Sequence, residues 1–164
     1  MPNVTIEYVI MLPLLILQVI LFPLTAGWLM NTWVTSRRTL ALQEAASNIG
    51  SNVQQLYFTL NHATIPVGTS ITEKSDVPPF IEDYAYTGSA TLKTVSSTSL
   101  NSSKVLTITL GLRTVGTTVT TSVILGPNAQ WLASTFKSNS TNAGILAQKV
   151  ANGTGAIIWL SFTG

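Results

Sequence analysis

The chain has 164 residues, no cysteine, 9% charged side chains and a formal charge of +2. The missing cysteines exclude a disulfide framework and a thiolate metal site, and with no basic run longer than Arg37-Arg38 a nucleic-acid partner is not expected. In the C-terminal half hydroxyls replace charge, as in VSSTSLNSS (Val95 to Ser103) and VGTTVTTS (Val115 to Ser122); hydroxyls keep their hydration over a wide pH range, which points to an exterior setting.

From Tyr8 to Val34 no side chain is charged, and only Gln18, Thr25, Asn31 and Thr32 interrupt the apolar character. About 20 apolar residues suffice to cross a bilayer as a helix, and this run is longer. It is expected to be retained, because no Lys or Arg precedes it and it is too long for the apolar part of a cleaved signal. Pro13 and Pro23 lie inside it, each removing a backbone hydrogen bond, so kinks or a locally unwound stretch are expected. Packing against copies of the same helix would supply partners for the freed carbonyls, and Gly27 would ease close approach. Trp28 and Trp33 read either as interfacial anchors or as packing groups between neighbouring helices. Glu7, the acid at the head of the run, has two readings of equal weight. It is an interfacial acid favoured by the helix dipole, or the partner of a positive group such as a neighbour's α-amino terminus, fixing axial register.

After Arg37-Arg38 the pattern becomes amphipathic: Leu42, Ala45, Ala46, Ile49, Val53, Leu56, Tyr57 and Leu60 recur at three- and four-residue intervals. One helix from about Thr5 to His62 is therefore expected, weakened slightly at Gly50 and ended by Pro66-Val67-Gly68. Residues 63–88 read as a loop-rich connector, with Pro66, Pro78, Pro79 and the acids Glu73, Asp76, Glu82 and Asp83. Residues 89–164 read as a Ser/Thr-rich β domain. Strands are expected over Ala90 to Val95, Val105 to Arg113, Thr117 to Leu125, Trp131 to Lys137 and Gly155 to Phe162. Alternation of Leu106, Ile108 and Leu110 with Val105, Thr107 and Thr109 predicts one apolar and one hydroxyl face, the apolar face clasping the amphipathic half of the helix. The fold class is thus α+β: a long N-terminal hydrophobic α-helix and a C-terminal antiparallel β-sandwich-like domain.

No enzyme, cofactor or metal site is expected. His62, the sole histidine, stands at the helix end without the signature of a positioned partner. Glu82-Asp83 lacks the ordered oxygen spacing of a calcium loop and reads as a solvated pair. N-x-[ST] sequons at Asn3, Asn101, Asn139 and Asn152 make Asn101, Asn139 and Asn152 candidate glycan acceptors, while Asn3 adjoins the membrane segment. Arg37-Arg38 would keep the β domain cytoplasmic by the positive-inside tendency, whereas the composition of the whole domain argues for the exterior; the domain composition is given more weight.

The string Asn3-Val4-Thr5-Ile6-Glu7-Tyr8 followed by VIMLPLLILQVILFP resembles the start of archaeal type IV pilins with class III signal peptides, whose processed subunits often begin Gln-x-Ser-x-Glu-Tyr before an apolar helix. Asn3 stands for Gln and Thr5 for Ser, and the likeness covers some thirty residues. The resemblance implies a lollipop-shaped subunit that polymerises with itself into an extracellular filament after a membrane-inserted stage. It further implies a prepilin peptidase, an assembly ATPase and a platform protein as partners. Glu7 would neutralise a neighbour's amino group during docking, Tyr8, Pro13, Gly27, Trp28 and Trp33 would lie in the packed helix, and Pro23 would sit where pilin helices melt or kink. The expected function is a structural filament subunit serving adhesion or surface attachment. The alternative is a membrane-anchored extracellular β domain that acts as a binding or display module.

Overall fold

A computed structural model describes the backbone of residues 3–95, 102–153 and 155–164, with side chains from residue 8 onward. Among these residues the chain forms α1 (Asn3–Asn61), β1 (Ser70–Lys74), β2 (Tyr86–Thr94), β3 (Lys104–Leu112), β4 (Thr117–Leu125), β5 (Ala129–Trp131), β6 (Thr135–Lys137), β7 (Gly144–Asn152) and β8 (Gly155–Thr163). It divides into two compact units, Met1–Arg37 and Arg38–Gly164, so the amphipathic half of α1 belongs with the strands. The α+β class holds: one long helix, then two sheets of four strands, ordered β1-β7-β8-β5 and β4-β3-β2-β6.

In the first unit α1 passes through Pro13 and Pro23 without interruption, and the expected unwound stretch does not occur. Each proline deprives a single carbonyl four residues back, and the hydrogen bonds on either side carry the helix across.

In the second unit the predicted stripe is the core. Leu42, Ala46, Ile49, Val53 and Leu60 are fully inaccessible, and Ala45, Leu56 and Tyr57 nearly so. They pack with Leu106, Ile108, Leu110 and Leu112 of β3 and with Ile145, Ala147, Ile158 and Leu160 of β7 and β8 in one cluster. Gly50 owes its place to this packing: a Cβ there would lie 3.0 Å from Val123 Cγ1 of β4 and 3.6 Å from Thr121 Cγ2. The helix gives up about 1 kcal/mol of propensity at that position and gains close approach to the sheet. Its C-terminal end is held by chemistry as well as by packing. Lys149, buried on β7, donates through Nζ to the carbonyls of His62 and Ile65 at 3.0 and 2.9 Å, placing a cation at the negative end of the dipole.

Asn128, in the turn between β4 and β5, ties three elements together. Its Oδ1 accepts from the Tyr57 hydroxyl, and its Nδ2 donates to Asn61 Oδ1 at 2.9 Å and to the Ala156 carbonyl at 3.2 Å. Gly126 precedes it because the Tyr57 ring and hydroxyl occupy the space a Cβ would need.

Strand prediction fails where inward positions are not apolar or where the chain changes sheets. β7 was missed because Lys149 faces inward to cap the helix and breaks the alternation. β1, five residues inside the predicted connector, is a short edge strand paired with β7 from Ser70↔Gln148 to Lys74↔Gly144. The single strand expected over Trp131 to Lys137 is instead two short ones: β5 runs parallel to β8 in one sheet, and β6 pairs antiparallel with β2 in the other. Phe136 and Phe162, 5.6 Å apart edge to face, join the sheets across that crossing. The hydroxyl face is as expected, with Thr107 facing Ser122 and Thr109 facing Thr120 at 3.4 and 3.5 Å across β3 and β4.

Replacing Asn128 by Ala would leave the Tyr57 hydroxyl and the Asn61 amide without their common partner. Chemical denaturation is expected to show a loss of about 2 kcal/mol, and Asn128→Asp, which keeps the acceptor for Tyr57 but sets a carboxylate oxygen against the Asn61 and Ala156 oxygens, one at least as large. A second expectation concerns alkali. Burial pushes the Tyr86 phenol up to about 12 while its hydroxyl donates to the Pro78 carbonyl at 2.8 Å. Because the folded state holds this proton more tightly, its contribution is complete below the ordinary tyrosine value near 10 and is lost as pH rises towards 12. Unfolding midpoints at pH 9 and pH 11 should differ less for Tyr86→Phe than for the wild type; an equal drop in both would assign the alkaline loss to other groups.

Candidate functional site

Every side chain from residue 8 to residue 33 is exposed in this chain. Eighteen of them are large and apolar, with exposures such as 69% at Tyr8, 73% at Phe22 and 69% at Trp28. They surround the helix, in contrast to the one-sided stripe after residue 41. At about 1.5–3 kcal/mol for each side chain removed from water, leaving this surface wet would forgo on the order of 30 kcal/mol or more, well above the net stability of a typical domain. The segment is long enough to span a bilayer, and a covering of lipid or protein is what its composition demands.

The polar residues within the run differ in what they require of that covering. Thr25 donates to the Leu21 and Phe22 carbonyls at 3.0 Å, Thr32 to Trp28 at 2.9 Å and Thr35 to Asn31 at 2.9 Å, so these hydroxyls are satisfied by their own helix. Gln18 is different: among the described residues its side-chain amide has no partner. It lies ten residues, about 15 Å, from Tyr8 and thirteen, about 20 Å, from Asn31, which is mid-bilayer depth for a spanning helix. Hydrocarbon cannot hydrogen-bond an amide, whereas another helix can. The Asn31 side-chain amide is also without a partner among the described residues, but it stands at the end of the run where interfacial water is within reach.

The other predicted site residues are placed as follows. Glu7 lies on α1, and its side chain falls outside the described residues. Tyr8, Pro13 and Pro23 are on the exposed helix, and among the described residues nothing beyond the adjoining helix backbone comes within 4 Å of a Cβ built on Gly27, leaving that face open to a close neighbour. Trp28 and Trp33, five residues apart, point to different sides of the helix, with Arg37 5.7 Å from the Trp33 ring centroid. Asn139, in the turn after β6, and Asn152, at the β7–β8 hairpin, are exposed as glycan acceptors must be; Asn101 falls outside the described residues.

Two residues carry roles the sequence did not disclose. Arg38 is half-buried: its Nε binds Glu82, and its guanidinium lies 5.3 Å from the Tyr84 ring centroid. The contact fixes the tight turn where Ile81 and Tyr84 exchange backbone hydrogen bonds and Glu82 adopts a φ of 49°. Arg38 is thus committed to the fold, and Glu82 is an ion-pair partner, not the solvated acid expected from the sequence. The second residue is Lys149, whose capping role is described above. Among the described residues no group of three metal-ligating side chains comes together, and His62 is exposed with Nδ1 2.8 Å from the Thr64 hydroxyl two residues on.

Because the threonine hydroxyls need nothing from outside, Thr25→Val and Thr32→Val should leave membrane partitioning within about twofold of the wild type, measured by sedimentation of membrane fractions. Gln18→Leu should leave that partitioning intact or slightly improved. Among protein-family models, curated proteins and solved structures, none matches the chain.

Proposed function

We propose that the chain is a structural subunit of an extracellular, archaeal type IV pilus-like filament, polymerising through its N-terminal helix and serving adhesion or surface attachment. The observation that carries the reading is the helix from residue 8 to residue 33, apolar and exposed on every side, with the unpartnered Gln18 amide at its middle. Lipid suits the apolar surface before assembly. A bundle of identical helices suits both the surface and the amide, and it admits close approach at Gly27. The likeness of Asn3 to Tyr8 and the following run to archaeal pilin N-termini supports the same conclusion and gives Glu7 the task of docking against a neighbour's α-amino group. In the filament the β domain would form the outer wall, with Asn139 and Asn152 available to carry glycans. An assembly ATPase, a platform protein and a prepilin peptidase would complete the system.

The second reading, a membrane-anchored β domain acting as a binding module, is favoured by the self-satisfied threonines, which make most of the run acceptable to lipid alone. Order distinguishes the two, since lipid responds to hydrophobicity and a helix bundle to shape and to the placement of Gln18 and Glu7.

Electron microscopy of material sheared from cells producing the chain, with mass spectrometry of its N-terminus, tests the proposal. Uniform thin filaments of this chain are expected, abolished by Glu7→Gln and by a composition-preserving scramble of residues 9–30. Protein that stays with membranes, yields only to detergent and tolerates both changes would establish the anchored module instead.

A further inference from the structure

Apart from the helix, the described surface carries one aromatic group set among free amides. On β8, Ile158, Leu160 and Phe162 point into the core, so Trp159 stands on the opposite face of the β1-β7-β8-β5 sheet, 39% exposed. The hydrogen-bonded register places Gln148 of β7 on one side of it and Gln130 of β5 on the other, with Ser70 of β1 beyond Gln148. Neither glutamine side chain has a hydrogen-bond partner among the described residues. Beside the indole is an open groove of about 310 Å³ whose lining includes Leu132, Leu146, Gln148, Val150, Trp159 and Ser161 and no charged side chain; Gln130 stands outside it, across the indole. Lys149, next to Gln148 in sequence, points the other way and is spent on the helix carbonyls.

We propose that this groove binds a neutral sugar ring of a surface polysaccharide. A pyranose presents an apolar C–H face and an equatorial rim of hydroxyls. The first stacks on an indole, and the second needs groups that both donate and accept, as a primary amide does. Phosphate, nucleic acid or an acidic glycan would require the cations that the lining lacks. A purely apolar ligand would leave the Gln148 amide unused, and a second protein copy would need roughly 800 Å² of matching surface where the groove offers one indole and a few aliphatic side chains. The proposal supplies a ligand class for the attachment role proposed above and rests on that adhesive part of the reading, not on polymerisation.

Affinity electrophoresis of the full chain in detergent micelles, through gels containing mannan, dextran or amylose, tests it, with polygalacturonate as the charged comparison. Retardation by at least one neutral polymer and none by polygalacturonate is expected. Trp159→Ala should abolish the retardation, Trp159→Tyr should retain part of it, and Gln148→Ala should weaken binding about fivefold. Near-ultraviolet circular dichroism checks that each variant is folded. No retardation by any of the three neutral polymers, or equal retardation of the wild type and a folded Trp159→Ala, overturns the proposal. Filament formation by Trp159→Ala, scored separately by microscopy, reports on polymerisation alone, so failure of one idea is distinguishable from failure of the other.

Discussion

The structure depends on the burial of one side of α1 between Leu42 and Leu60. That seam supplies the strands with a common core, brings Gly50 against β4, and delivers the helix end to Lys149 and Asn128. Without it two small sheets would share only their own inward faces. The strands lie in the unit from Arg38 to Gly164, and in the other unit every described side chain from residue 8 to residue 33 is exposed. One continuous helix therefore passes from a protein environment to one that must be furnished from outside.

How that outside is constituted is written in the polar residues more than in the apolar ones. Leucine, isoleucine and phenylalanine are equally at home in lipid or in a helix bundle. Threonines that bond their own carbonyls are nearly indifferent. A glutamine in mid-span is not, because the free energy of an unpaired amide in hydrocarbon exceeds what a neighbouring methylene contributes. The chain's few charges show a similar economy. Arg38 and Glu82 hold a strained turn, Lys149 caps a helix, and Arg37 lies near the Trp33 ring, so charge here serves local structure before it serves any long-range field.

The two outward sheet faces are chemically distinct. One carries a hydroxyl ladder across β3 and β4, the other an indole between two amides. Neither face needs ionisation to remain hydrated, which suits a surface exposed to changing pH and salt.

The helix, its division into an apolar and an amphipathic half, the α+β class and the hydroxyl alternation of β3 were legible in the sequence because each is a periodic signal carried by contiguous residues. The eight core positions from Leu42 to Leu60 followed from three- and four-residue spacing alone. The apolar run likewise announced that it would need an outside covering. Tertiary structure alone decided the rest. β7 was hidden by an inward lysine whose partners, the His62 and Ile65 carbonyls, lie more than eighty residues away in sequence. The division of Trp131 to Lys137 between two sheets, the clamp of Arg38 on Glu82 and Tyr84, and the row Gln148–Trp159–Gln130 all depend on register between distant strands or on contacts across many residues. Periodicity reports which face of an element is buried. It carries no information about which element lies opposite, and the pairing that assembles a site is settled only when the whole core closes.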